Sequence, residues 1–139
     1  MTKTETPIRV RYQETDQMGV VYHANYLVWF ELGRTDFIEA LGFKYHEIEN
    51  KGVVSPVVDA NIQFKKPVRY GEDAYVETWL EDYDGLRITY GYRIFNTSQD
   101  LAVSGTTKHV IVKEGSFRPV SIRRSFPEWH EAYTKALER

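Results

Sequence analysis

The sequence has no cysteine. That removes disulfides, thiolate nucleophiles and cysteine-ligated metals together, and it suits a reducing compartment. Excess charge of either sign is missing too: 18 basic side chains stand against 20 acidic ones, for a net charge of −2. Nucleic-acid surfaces need a strongly basic patch, so no nucleic-acid partner is expected. There is no long hydrophobic run. The longest mostly apolar stretch, Val20 to Phe30, carries His23 and Asn25 and is too short to span a bilayer. Residues 1–7 lack the apolar segment of a signal peptide. The chain is therefore expected to be soluble and cytoplasmic, with no membrane span. No Gly-x-Gly-x-x-Gly, phosphate loop or Gly-x-Ser-x-Gly elbow occurs, which argues against nucleotide binding of the usual kind and against a serine hydrolase. The four histidines, His23, His46, His109 and His130, are scattered without a His-x-x-x-His spacing, so no metal is expected.

What the sequence does have is aromatic bulk: ten Tyr, seven Phe and three Trp in 139 residues. Two explanations fit, a bulky core with a subunit interface and a lined ligand slot, and both can hold. A chain of this length buries roughly 68–70% of its unfolded surface, enough for one core without staples. Residues 1–139 are read as one domain.

Periodicity gives the elements. Ile8, Val10 and Tyr12 alternate with Arg9, Arg11 and Gln13, a half-buried strand with Pro7 at its start. A helix is expected from Asn25, a cap candidate, or from a turn earlier near Tyr22. Tyr26, Leu27, Phe30, Phe37, Ile38 and Leu41 recur at helical spacing, and Val28, Trp29 and Leu32 fill much of the remaining surface. A helix apolar nearly all round is a buried one. Gly42 reads as its stop, and Glu31 and Arg34, one turn apart, can pair. Four further strands are expected within 53–64, 74–83, 86–96 and 101–113, the last three as an antiparallel meander. Residues 127–138 read as a short terminal helix, with Pro127 in its first turn. The fold class is α+β: a curled antiparallel sheet of about five strands around one long buried helix.

The segment Tyr12 to Tyr26 concentrates chemistry, with Asp16, Gly19 and His23 inside eight residues at a strand-to-helix passage. Asp16 has two readings. It is a turn aspartate bonding nearby backbone N–H groups, or a partly desolvated carboxylate able to act on a substrate. Gly19 allows a positive φ and a close backbone approach. The amides after it belong to a helix N-terminus, where unpaired N–H groups and a partial positive charge favour a developing oxyanion.

The pattern Asp-x-x-Gly-x-x-Tyr-His-x-x-Tyr over Asp16–Tyr26, with Trp29, Phe30 and Glu31 following, resembles the hotdog-fold acyl-CoA thioesterases of the 4-hydroxybenzoyl-CoA thioesterase family. The resemblance runs from about Ile8 to Lys113 and is densest between Tyr12 and Arg34. It implies a hotdog fold and hydrolysis of an acyl-CoA thioester to free acid and coenzyme A. It also implies a dimer with two sheets joined edge to edge, or a tetramer of two dimers, with active sites at the dimer interface. Asp16 matches the catalytic carboxylate, as general base or as nucleophile. His23 matches the oxyanion position through its backbone amide, and its side chain is either a participant or a packing residue. Tyr12 either hydrogen-bonds the carboxylate or packs the strand end. Gly19, Val20, Tyr22, Asn25 and Tyr26 are expected to shape the substrate site. Asp59 is either pocket wall or an outward strand carboxylate. Arg87 is the one basic residue in the turn where relatives hold the coenzyme A phosphates. Lys65, Lys66, Arg69, Arg118, Arg123 and Arg124 are the other phosphate candidates. No metal or separate cofactor is implied. A non-enzymatic acyl-CoA-binding protein and a hydratase of the same fold are the alternatives; the first usually carries an attached partner module, for which this chain has no room.

Overall fold

A computed structural model describes residues 2–137. Five strands form one antiparallel sheet: β1 (Lys3–Arg9), β3 (Val57–Phe64), β4 (Asp73–Tyr83), β5 (Arg87–Phe95) and β6 (Leu101–Val110). Their spatial order is β1-β4-β5-β6-β3, so β4, β5 and β6 make the expected meander. The long helix α1 (Asn25–Ala40) packs on β1, β4 and β5. A small antiparallel pair of strands distant in sequence, β2 (Val53–Val54) with β7 (Val112–Lys113), and three short helices, α2 (Tyr45–Glu49), α3 (Ile122–Ser125) and α4 (Pro127–Leu137), complete the order. The expected end of the last helix at Glu138 falls outside the described residues.

Several boundaries differ from the sequence reading, each for a physical reason. β1 begins four residues before Pro7 and ends at Arg9, while Tyr12–Glu14 forms a 3₁₀ turn. Pro7 fits inside β1 because β1 is an edge strand, where a missing N–H breaks no ladder. The expected strand 53–64 is split in two, with Ser55-Pro56 between β2 and β3. Asn25 is the first helical residue, not the cap; Ala24 holds the cap position. The helix does stop at Gly42. With φ +95° it takes the left-handed conformation, and the bonds Gly42 N–H to the Glu39 carbonyl and Phe43 N–H to the Ile38 carbonyl close the end as a Schellman turn.

The helix is not enclosed all round. Tyr26, Trp29, Phe30, Gly33, Phe37 and Ile38 face the core, while Leu27, Val28 and Leu32 are exposed. Gly33 lets it lie close to the sheet, since a methyl group there would collide with Thr78 of β4. Glu31 and Arg34 do not pair. Arg34 instead donates to the Tyr92 hydroxyl at 3.2 Å and has no carboxylate partner among the described residues.

That bond starts a buried polar chain. The Ser55 carbonyl can only accept, so the His109 Nδ1–H donates to it, at 3.2 Å. Burial, and then the Arg34 charge, push the His109 imidazole down to about 4, so the ring is neutral and its Nε2 accepts from the Thr107 hydroxyl at 3.0 Å. The Tyr92 hydroxyl must then donate to Thr107, at 2.7 Å, and accept from Arg34. The chain ties α1 to β5, β6 and the β2–β3 connection. Beside this interior, β3 stands apart: it is an edge strand, and Val57, Val58 and Phe64 on it are about half exposed.

Candidate active site

Between Glu14 and α1 the chain makes a loop that touches the core once, at the buried Val21. The Asp16 amide donates to the Val20 carbonyl at 2.9 Å, and the Gly19 amide to the Asp16 carbonyl at 3.0 Å. Gly19 sits at φ +79° with open space where a side chain would be, so its requirement is conformational rather than steric. One Asp16 oxygen, Oδ1, accepts from the Met18 amide at 2.8 Å, an Asx turn. The other has no partner among the described residues. The turn reading of Asp16 is thus correct as geometry, and it leaves half of the carboxylate free.

Asp16 is half-buried on the wall of a cavity of about 340 Å³. Of the residues singled out from sequence, Asp16, Val20, His23 and Tyr26 line this cavity together. Gly19 and Tyr22 in the same loop, and Asn25 as the first residue of α1, shape it without lining the space. The Tyr22 ring packs on His23 at 4.4 Å, and Asn25 Nδ2 donates to the Glu14 carbonyl at 2.8 Å. The His23 ring meets Phe64 edge-on at 6.2 Å. The backbone amides of His23 and Ala24, just before α1, have no acceptor among the described residues. Tyr26 is buried; loss of water pushes its hydroxyl above the ordinary tyrosine value, against the opposing effect of a Val68 backbone hydrogen bond.

Three of the expected residues are elsewhere. Tyr12 is 76% exposed, with its ring edge-on against Tyr70, so it neither bonds Asp16 nor packs the core. The strand ends three residues before it, which turns its side chain outward. Asp59 is an exposed side chain of β3 in register with Lys108 and does not line the cavity within this chain. Arg87 opens β5 at the far end of the sheet from the cavity. Its amide donates to Asp84 Oδ1 at 2.7 Å, closing the tight turn before it.

The cavity's other wall is Phe64, Lys65, Lys66 and Pro67, at the end of β3, with Met18 and Val21 opposite. Lys66 also pairs with Asp100 at 3.2 Å. Of the phosphate candidates, only these two lysines line this space. Among the described residues, no group of three or more His, Asp or Glu side chains is placed to hold a metal ion, and no helix is long and apolar enough to cross a membrane.

Glu14 was missed as a site residue. It is 5% exposed and accepts from Trp29 Nε1 at 2.8 Å, from the Arg11 amide at 2.8 Å and from the Arg11 guanidinium at 3.4 Å. Burial alone would raise its carboxyl; the Trp29 and Arg11 hydrogen bonds and the Arg11 charge outweigh that and hold it below the usual glutamate value. No local pattern could have found it, because the partner that fixes its burial, Trp29, is fifteen residues away.

A five-stranded antiparallel sheet of this order on one long helix, with Asp16 and His23 lining one cavity at the helix start, is a hotdog-type architecture. Residues 10–130 match the model of the thioesterase-like superfamily, and the chain belongs to that family. It is 55% identical over 136 residues, 98% of this chain and 99% of the relative, to YneP of Bacillus subtilis (strain 168), a protein provisionally named an acyl-CoA thioesterase. It is 31% identical to the acyl-CoA thioesterase YbgC of Haemophilus influenzae, over 83% of this chain and 85% of that one. Among solved structures, the DHNA-CoA thioesterase from Staphylococcus aureus superposes with a TM-score of 0.95 at 48% identity, covering 97% of this chain and 91% of that chain.

Proposed function

We propose that this chain hydrolyses an acyl-CoA thioester to the free acid and coenzyme A. The carrying observation is that Asp16, with one oxygen free, shares its cavity with His23, whose backbone amide is unpaired beside the start of a long helix. Hydrolysis needs two things at one carbon: an oxygen to attack it and a donor to hold the oxyanion that results. Asp16 serves the first need, by taking a proton from an attacking water or by attacking the carbonyl itself. The amides at His23 and Ala24 serve the second. A C–O bond forms, the C–S bond breaks, and the thiolate of coenzyme A leaves with little assistance.

The apolar part of the wall, Val20, Val21, Tyr26 and Phe64, suits the acyl group. Lys65 and Lys66 at the rim suit the phosphates. The relatives' activities favour an acyl-CoA substrate, and the Staphylococcus aureus protein makes the DHNA thioester the first aromatic candidate to try.

The active form is proposed to be a cytoplasmic homodimer, or a tetramer of two dimers, each chain one domain. The bare β3 edge, with exposed Val57, Val58 and Phe64, supports sheet-to-sheet joining. Antiparallel pairing of two β3 strands would carry the partner's Asp59 toward the Phe64 end and so toward the Asp16 cavity.

A panel of aliphatic and aromatic acyl-CoAs, followed by free-thiol release, tests the reading. Thiol release that is lost in Asp16→Asn supports it. Tight binding without release marks an acyl-CoA-binding protein, and water addition to an enoyl-CoA without release marks a hydratase; either outcome contradicts it.

A further inference from the structure

The loop that carries Asp16 and His23 is pinned at both of its ends by one residue. The Glu14 carbonyl accepts from the Tyr22 amide at 2.9 Å and from Asn25 Nδ2 at 2.8 Å, so the chain returns to the residue it left. The Glu14 carboxylate accepts from Trp29 Nε1, one turn into α1, on an indole that is fully buried and held edge-on by Tyr26 at 5.3 Å. The backbone of Glu14 therefore closes the loop, and its side chain bolts that closure to the helix. Two independent anchors meet in a single residue, two positions before Asp16.

We infer that Glu14 is a positioning residue: it sets where the Asp16 carboxylate sits relative to the amides at the start of α1. This goes beyond the proposed hydrolysis and rests on it, since it presumes that Asp16 and those amides act on one carbon. The reason such a residue matters is geometric. Attack and oxyanion binding occur at the same atom, and a displacement of about 1 Å can cost on the order of a hundredfold in rate. Asp16 lies on a loop, and among the described residues its side chain is held by one hydrogen bond, from the Met18 amide. The far side of the loop is tied to the segment after β3, by the Val21 amide on the Val68 carbonyl at 2.8 Å, so its registration against the helix comes from the base at Glu14.

The test separates positioning from mere support. Glu14→Gln keeps the shape but presents an NH₂ to donors, so either the Trp29 or the Arg11 bond is lost. Trp29→Phe deletes the donor on the helix side alone. Each is expected to lower kcat roughly tenfold at saturating acyl-CoA, with KM within about twofold, and the double variant is expected to be no slower than the slower single one, as for residues acting as a unit. Folded fraction by circular dichroism and melting temperature are read on the same samples, with kcat expressed per folded molecule. A lowered melting temperature with kcat within twofold of wild type, in either variant, overturns the inference, as does multiplicative loss in the double variant. If Glu14→Gln fails to fold, Trp29→Phe decides alone. Asp16→Asn in the same assay keeps the two readings apart. If it retains full rate, the hydrolytic reading of Asp16 falls. If it is inactive while Glu14→Gln and Trp29→Phe turn over normally, only the positioning role falls.

Discussion

Glu14 and Asp16 are two residues apart and chemically near-identical, yet the fold treats them in opposite ways. Glu14 is buried, accepts three hydrogen bonds and is held in its charged form by them. Asp16 is half-buried on a cavity wall and accepts one. The difference lies in what surrounds them rather than in the side chains. A buried carboxylate held by three donors is structural, because a proton taken up on either oxygen would compete with those bonds. A carboxylate with a free oxygen facing an accessible space can meet a substrate. Exposure and partner count, read together, divide the labour within three residues of chain.

Substitution is the most forceful way to break this contrast. Glu14→Ala leaves the buried Trp29 indole N–H without an acceptor and removes the contacts from the exposed Arg11, and should lower stability by about 3 kcal/mol, whereas Asp16→Ala should stay within about 1 kcal/mol of wild type. Urea melts of the two variants check this; equal losses would erase the distinction.

Acid offers a finer probe. The folded Glu14 carboxyl lies below its ordinary value of 4.5, so its contribution to stability is complete above that value and is lost as pH falls through the folded one. His109 acts earlier: its folded value of about 4 lies below the usual 6.5, so the unfolded chain takes up the proton first. Stability should therefore decline by about 1.4 kcal/mol per pH unit from about 6.5 toward 4 because of His109. His109→Gln should flatten that upper limb, and Glu14→Gln should flatten only the lower one, below 4.5. Melts between pH 3 and 7.5 separate the two limbs.

The smallest effects belong to residues the sequence implicated but the fold sets aside. Tyr12→Phe and Arg87→Gln should leave kcat and KM within about twofold of wild type, because Tyr12 is exposed and Arg87 closes a distant turn. Steady-state kinetics on the two variants settle it.

Much of this was legible in the sequence, and the exceptions share a cause. The meander could be read because Ile88, Tyr90, Tyr92 and Ile94 alternate with polar neighbours, and all four are buried. The helix and its stop were legible from spacing and from Gly42. The crowding of Asp16, Gly19 and His23 marked the loop. Periodicity, however, reports which residues are apolar and not what covers them, so Leu27, Val28 and Leu32 were read as buried when one chain leaves them exposed. Local propensity likewise pairs Glu31 with Arg34, while a tyrosine 58 residues further along takes the guanidinium. Glu14 was invisible for the same reason, since its character comes from Trp29 and Asn25 folding back upon it.

The division between the two carboxylates is tested most directly by the rate of thiol release from a hydrolysed acyl-CoA by Asp16→Asn, measured beside wild type at matched circular dichroism and melting temperature. The account predicts a loss of about a thousandfold with the fold unchanged. An Asp16→Asn protein that releases thiol at the wild-type rate would contradict it.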